Sequence, residues 1–402
     1  MRIKRDISHF NLIDWDFKGE DSKSFVHNFC WYPSRFIPII PSHLIQSLSH
    51  KGDTVLDPYC GSGTTVLEAL KLGRNAIGVD LNPIASFIAE VKVNVFKRND
   101  IDLCILQEIQ DLISSANIEI QHATEPNLFK FEGVSQLEDL EMNAIPNLDE
   151  NSKWYHPLTL KMLVYILNII SSVKNKSTQD LLKLFFISIL IPSSGHENKK
   201  PYTYYADNVK PKSLLYKNAV GAYASKIRKF LDEYAKFTNE ITCKGTIINS
   251  DIRHLANVME PYSPIDLIVT SPPYLSVTDY ITGYRLVYLW DLFPCDINAV
   301  KRSEIGARWR RKVTTSFTDY TRDLQMSLLD MSNVLKSGGY LCLILGEAMK
   351  HREVIIDELQ AFATANTHLE LQDVYSRKLS KNFFLHPQGG VPTEDILIFQ
   401  RN

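Results

Sequence analysis

The 402-residue sequence is short of cysteine, of charge imbalance and of long apolar runs. Six cysteines, Cys30, Cys60, Cys104, Cys243, Cys295 and Cys342, are scattered with no C-x-x-C pair. A zinc knuckle or a disulfide scaffold is therefore excluded, and a reducing compartment fits. Lys and Arg number 44 against 46 Asp and Glu. That near-balance excludes a polybasic binder but not an enzyme with local basic patches. The longest apolar stretch, Leu184–Ile191, falls far short of the roughly 20 residues of a membrane span. The N-terminal Met-Arg-Ile-Lys-Arg-Asp has no apolar segment behind it, unlike a secretory signal. No repeat or low-complexity tract is visible, and no His, Cys or acidic cluster has metal-ligand spacing. The expectation is a cytoplasmic protein without membrane or metal. Hydrophobic residues at 45% and charged residues at 22% are ordinary for a globular chain.

What is present begins at residue 54. Thr54–Asp57 reads as a short strand, followed by a turn containing Gly61 and Gly63. A helix over Thr64–Leu72 stops at Gly73. A second strand runs over Asn75–Val79 and is closed by Asp80, and a further helix spans Ile84–Phe96. This is the opening of a parallel α/β sheet. The sheet pattern resumes at Gly245–Asp251, Ile265–Val269, Tyr340–Leu345 after the Gly338-Gly339 turn, and Asp395–Phe399, which is expected to end the sheet.

Between the two parts the composition shifts. Residues 100–150 hold twelve acidic residues against Lys130 alone, and this stretch is expected to face solvent. Residues 196–230 reverse the sign, with Lys199 and Lys200 opening a run interleaved with tyrosines. Leu158–Ile170 and Leu181–Leu190 read as buried helices. The chain divides into an α/β domain over 1–97 and 241–402 and a mostly helical insertion over 98–240, a candidate target-recognition part.

Two turns carry chemistry. Asp57-Pro-Tyr-Cys-Gly-Ser-Gly63-Thr64 lies at the carboxyl end of the first strand, where open α/β sheets bind ligands. Thr64 stands where a P-loop needs Lys, and Val66 where a dinucleotide fold needs a third glycine. An acid beside the turn repels a pyrophosphate and suits a cationic sulfonium or ammonium, and Asp80 is placed to accept from ribose hydroxyls. That pattern points to S-adenosylmethionine. The second turn, Thr270-Ser-Pro-Pro-Tyr274, follows the apolar strand Ile265–Val269. Two prolines remove two N–H donors and leave carbonyl acceptors, with Tyr274 as an aromatic plate. Such an array suits a flat ring bearing an exocyclic amine. A basic run over 301–312, with Arg302, Arg308, Arg310 and Arg311, is expected near the same cleft and can meet phosphates.

These segments together resemble the S-adenosylmethionine-dependent amino-methyltransferases of DNA. Asp57–Thr65 is similar to their cofactor motif, Gly78–Pro83 to the second motif, Ser250-Asp251 to the acid that meets the adenine, Ser271–Tyr274 to the catalytic tetrad, and His27–Pro38 to the segment that closes over the methionine end. Asp279–Trp290 and Arg302–Gly306 look like the stretch that follows the tetrad in one subgroup.

The resemblance implies a Rossmann-like class I methyltransferase fold, mostly parallel with an antiparallel C-terminal strand, carrying a largely helical insertion. It implies cofactor contacts from Asp57, Pro58, Tyr59, Gly61, Gly63, Thr64, Asp80, Leu81, Asp251 and Ile252, and from His27 and Tyr32. Ser271, Pro272, Pro273 and Tyr274 would act on the base, and Lys199, Lys200, Arg302, Arg308, Arg310 and Arg311 on double-stranded DNA. Serine at the first tetrad position favours the 4-amino group of cytosine over the 6-amino group of adenine. An RNA guanine amino-methyltransferase and a non-catalytic DNA-binding partner stay open. Carbon-5 methylation is disfavoured, because Pro294-Cys295 lies in a loop of the wrong kind. The implied setting is bacterial or archaeal, nucleoid-associated, with a restriction endonuclease or another defence component as possible partner.

Overall fold

The computed structural model describes residues 7–18, 25–30, 32–33, 37–98, 100–122, 140, 145–195, 213–237, 242–262, 264–310, 313–346, 352–379 and 393–402. A seven-stranded sheet runs through it: β1 (Thr54–Asp57), β2 (Asn75–Asp80), β3 (Gly245–Asn249), β4 (Ile265–Thr270), β5 (Leu335–Leu345), β6 (Leu369–Lys378) and β7 (Thr393–Arg401), in the spatial order β3-β2-β1-β4-β5-β7-β6. The first five are parallel; β7 enters antiparallel between β5 and β6. This is the mostly parallel α/β sheet, with an antiparallel C-terminal strand, that the resemblance implies.

Two details differ from the sequence reading. Asp395–Phe399 does not end the sheet: β7 is internal and β6 takes the edge. β6 alternates weakly because several of its residues are only half-buried, so it carries no apolar run to betray it. β5 also starts at Leu335, ahead of the glycine pair, with a register shift opposite Ile265 and Leu267.

The central strands are buried on both faces, as parallel strands covered by helices must be. One face is covered by α1 (Ile39–Leu48), α2 (Thr64–Lys71) and α3 (Pro83–Phe96). The other is covered by α8 (Ser316–Val334) and α9 (Arg352–Asn366). Between α3 and β3 come four longer helices: α4 (Leu103–His122), α5 (Pro157–Ser172), α6 (Lys176–Ser193) and α7 (Ala219–Tyr234). Local chemistry starts three of them. His156 caps α5 at the Leu158 N–H with Pro157 following, Asn175 caps α6 at the Thr178 N–H, and Asn218 caps α7 at the Gly221 N–H. α6 packs on α3, and the apolar faces of α4 to α7 join the cluster beneath the sheet. Within the acidic stretch, α4 buries Leu106, Ile109, Ile113 and Ala116 and turns Glu108, Asp111 and Glu119 outward. No helix among the described residues is long and apolar enough to cross a membrane, and none of their His, Cys and acidic groups forms a metal cluster.

Candidate active site

At the end of β1 the backbone turns on two glycines in the left-handed region, Gly61 at φ +50° and Gly63 at φ +84°. A side chain at 61 would press on the Tyr32 ring, and one at 63 on Ala89 of α3. The turn is closed by Gly63 N–H donating to the Cys60 carbonyl at 2.8 Å and by Tyr59 N–H donating to Asp57 Oδ1 at 3.2 Å. Asp80, at the end of β2, accepts from Gly61 N–H through Oδ2 and from Asn82 N–H through Oδ1, each at 2.8 Å. It therefore ties the two strand ends together and keeps lone pairs for a ligand. Burial pushes the Asp80 carboxyl up to about 6, against those two N–H groups. Asp57 also rises to about 6 through burial, opposed by the hydroxyls of Thr270 and Thr65 and by the Tyr59 N–H. It lies beneath the turn and receives the Thr270 hydroxyl at 2.6 Å, so it links β1 to β4.

An open cavity lies over these strand ends. Its walls include Pro58, Tyr59, Gly61, Thr64, Asp80, Leu81, Asp251 and Ile252, and Tyr32 from the N-terminal segment. Asp57 and Gly63 shape the turn from behind without lining the cavity. His27 is also off the wall: its Nε2 meets Glu68 Oε1 of α2 at 3.0 Å, and both side chains are buried. For His27 the structure thus shows a tie between the N-terminal segment and α2, because the carboxylate beneath it is the nearer partner. Asp251 is held by Arg253, and those hydrogen bonds outweigh burial and keep its carboxyl below the usual range.

Ser271 and Pro273 reach the same cavity, while Pro272 and Tyr274 do not line it. The Tyr274 ring rests on Gly346, where no side chain has room. Its hydroxyl donates to Glu394 Oε1 at 2.7 Å, Arg377 Nη1 holds the other Glu394 oxygen at 3.2 Å, and Ser271 Oγ donates to the Tyr274 oxygen at 3.2 Å. The Pro273 carbonyl accepts from the Tyr320 hydroxyl at 3.0 Å. Tyr280, from the stretch after the tetrad, is the aromatic ring of that region on the cavity wall.

The stretch after the tetrad is laced to the 303–310 segment. Ser276 N–H donates to the Gly306 carbonyl, Ile281 N–H to Glu304 Oε1 and Trp309 N–H to Asp279 Oδ1, at 2.8, 2.9 and 2.9 Å. Ser303, Glu304 and Ile305 thereby join the wall, whereas Arg302, Arg308 and Arg310 are not part of its lining. Arg302 and Arg310 also face Asp296 and Asp319. Arg311, Lys199 and Lys200 lie outside the described residues.

Sequence reasoning did not single out Tyr280, Tyr284 and Tyr288, spaced four apart, as site residues. Tyr32 stacks on the first two at 6.1 and 5.7 Å between ring centres, and the Tyr288 hydroxyl donates to Asn82 Oδ1 at 3.0 Å. That spacing was the available signal. Glu304 carried no such signal, since it stands within a basic run.

Among the described residues the lining bears three carboxylates, Asp80, Asp251 and Glu304, and no Lys or Arg. A phosphate-bearing cofactor does not fit such a wall. A cationic nucleoside with hydroxyls for Asp80 and a ring against Ile252 does fit.

A family model for DNA methylases matches residues 15–90. Among curated proteins, Type II methyltransferase M.MjaII of Methanocaldococcus jannaschii is 22% identical over 83% of this chain and 75% of its own length. Type II methyltransferase M.BsoBI of Geobacillus stearothermophilus is 28% identical over 71% of this chain and 56% of its own. M.MvaI of Kocuria varians is 23% identical over 64% and 55%. The chain thus spans little more than half the length of the last two. Among solved structures, TrmN from Thermus thermophilus aligns at 10% identity over 91% of this chain and 49% of its own, with a TM-score of 0.33, too low to add to the strand order.

Proposed function

From a chain that is related to the S-adenosylmethionine-dependent DNA amino-methyltransferases, and whose cofactor is S-adenosylmethionine, we propose an enzyme that methylates the exocyclic 4-amino group of cytosine in double-stranded DNA. The observation that carries this reading is the convergence of Ser271 and Pro273 with Gly61, Asp80 and Asp251 on one acid-lined cavity. When bound, S-adenosylmethionine supplies the methyl group. Gly61, Asp80, Asp251 and Ile252 hold its nucleoside, with Tyr32 closing the other end.

An aromatic amine is a weak nucleophile because its lone pair is delocalised into the ring. The Ser271 hydroxyl and the Pro272 carbonyl accept hydrogen bonds from that amine and draw its nitrogen toward tetrahedral geometry, which localises the pair. No covalent enzyme intermediate is needed, and the gain lies in positioning and electrostatics. The target base leaves the duplex to reach the cavity. Tyr280 offers it a face on the wall, and Tyr274 holds the Ser271 hydroxyl beside it. Arg302, Arg308, Arg310 and Arg311 contact phosphates of the duplex, and residues 98–240 contribute to target recognition. Serine at position 271 favours cytosine over adenine. The curated relatives are Type II methyltransferases by name, and we read the chain likewise as the modification partner of a restriction endonuclease.

The test is single-molecule sequencing and mass spectrometry of DNA from cells expressing the protein. N4-methylcytosine at a defined sequence is the expected product. N6-methyladenine would move the target to adenine, and the absence of any methylated amine would overturn the assignment.

A further inference from the structure

Glu304 is 7% exposed, yet it lines the cavity. Its Oε1 is spoken for by the Ile281 N–H, which starts a short helical turn over Tyr280–Gly283. Its Oε2 is buried and meets no donor in hydrogen-bond geometry among the described residues. A buried carboxylate oxygen without a donor is costly unless a ligand completes it. Among the described residues no Lys or Arg lines the cavity with it, and Asp80 and Asp251 add negative charge on the same walls. Tyr32, which packs against Gly61, stacks on Tyr280 next to the turn that Glu304 holds.

We propose that Glu304 binds the positive charge of the cofactor's methionine end, and so selects a cationic nucleoside over a neutral one. The inference rests on the cofactor assignment above and names a residue to which the resemblance gave no role. A cation completes Oε2 while Oε1 keeps its backbone partner. The carboxyl sits at about 7 in the ligand-free protein, raised chiefly by burial and by Asp279, and opposed by the Ile281 and Tyr280 N–H groups and by Lys301. Burial of the negative charge is therefore unfavourable until a cation arrives.

Glu304→Gln is the discriminating variant, because its amide oxygen still accepts from Ile281 while the charge is gone. Calorimetry on the full chain compares three probes. S-adenosylmethionine carries a sulfonium and an ammonium, S-adenosylhomocysteine only the ammonium, and 5′-methylthioadenosine neither. The expected result is a loss of about 10- to 100-fold for S-adenosylmethionine, the range of a charged hydrogen bond, with methylthioadenosine unchanged. An equal loss for S-adenosylhomocysteine assigns the charge to the ammonium, and a smaller loss assigns it to the sulfonium. Unchanged affinity for S-adenosylmethionine overturns the proposal, including the case in which only the dependence on DNA concentration changes. An equal loss for methylthioadenosine overturns it too, since a merely structural role would weaken all three. Wild-type protein that binds none of the three would instead refute the cofactor assignment.

Discussion

The turn after β1 and the turn after β4 form two halves of one site and are held in opposite ways. The backbone of the first is held by neighbours in the chain: Tyr59 on Asp57, Gly63 on Cys60, and Gly61 on Asp80 only 19 positions away. The second is held from a distance. Thr270, Pro273 and Tyr274 find their partners in Asp57, Tyr320 and Glu394, at separations of 213, 47 and 120 positions. The cofactor turn is thus a local motif, whereas the shape of the catalytic turn is a property of the assembled sheet. A substitution far from the chemistry can disable the second while the first still binds its ligand.

Three measurements would break or sharpen that contrast. Glu394→Ala, on β7, leaves Arg377 buried without its counter-charge and Tyr274 without its acceptor. Removing one partner of a buried pair costs about 3–5 kcal/mol, read as a lowered denaturant midpoint. Under conditions where the variant stays folded, turnover should fall while affinity for S-adenosylmethionine holds. Equal losses in both would mean that the two turns are not separable.

Ser271→Ala removes a hydrogen bond that matters most as the amine becomes tetrahedral. A decrease of roughly 10²–10³ in turnover is expected, with cofactor affinity unchanged by calorimetry. Wild-type turnover in this variant would reduce the tetrad to a structural turn.

Asp80→Ala is the complementary cut. It should weaken S-adenosylmethionine by about 1.5–3 kcal/mol and leave the Tyr274–Glu394 contact in place. The same carboxyl predicts a pH effect. Asp57 and Asp80 lie at about 6 in the fold against an ordinary 3.8, so their protonated forms favour folding. That contribution is complete below the ordinary value and is lost as pH rises through about 6. The melting temperature of ligand-free protein should include a decline between roughly pH 4 and 6 from these groups, and Asp80→Ala should make that decline shallower.

This difference in construction explains what could be read from residues alone. The β1 turn, Asp80 and the flanking helices were legible because glycines, an acid at a strand end and 3.6-residue periodicity act within about 30 positions. Ser271–Tyr274 was legible as a motif, but its environment was not. Nothing near Tyr274 announces that Glu394 and Arg377 will hold its hydroxyl or that Gly346 will lie beneath its ring. His27 looked like a site residue by its motif and is tied to Glu68, a contact across 41 positions. β6 went unseen because only two of its ten residues, Leu369 and Tyr375, are buried hydrophobics.

By itself, then, the amino-acid sequence determined a parallel α/β sheet, the glycine turn with its acid, and the proline tetrad, because each rests on backbone preferences and short-range patterning. Tertiary structure decided which side chains share the cavity. The 303–305 segment reached the wall through hydrogen bonds to residues 276–281, and Glu304 became a buried acid rather than one member of a charged run. The physical reason is that burial and hydrogen-bond completion are set by what packs alongside, and chain neighbours do not encode that.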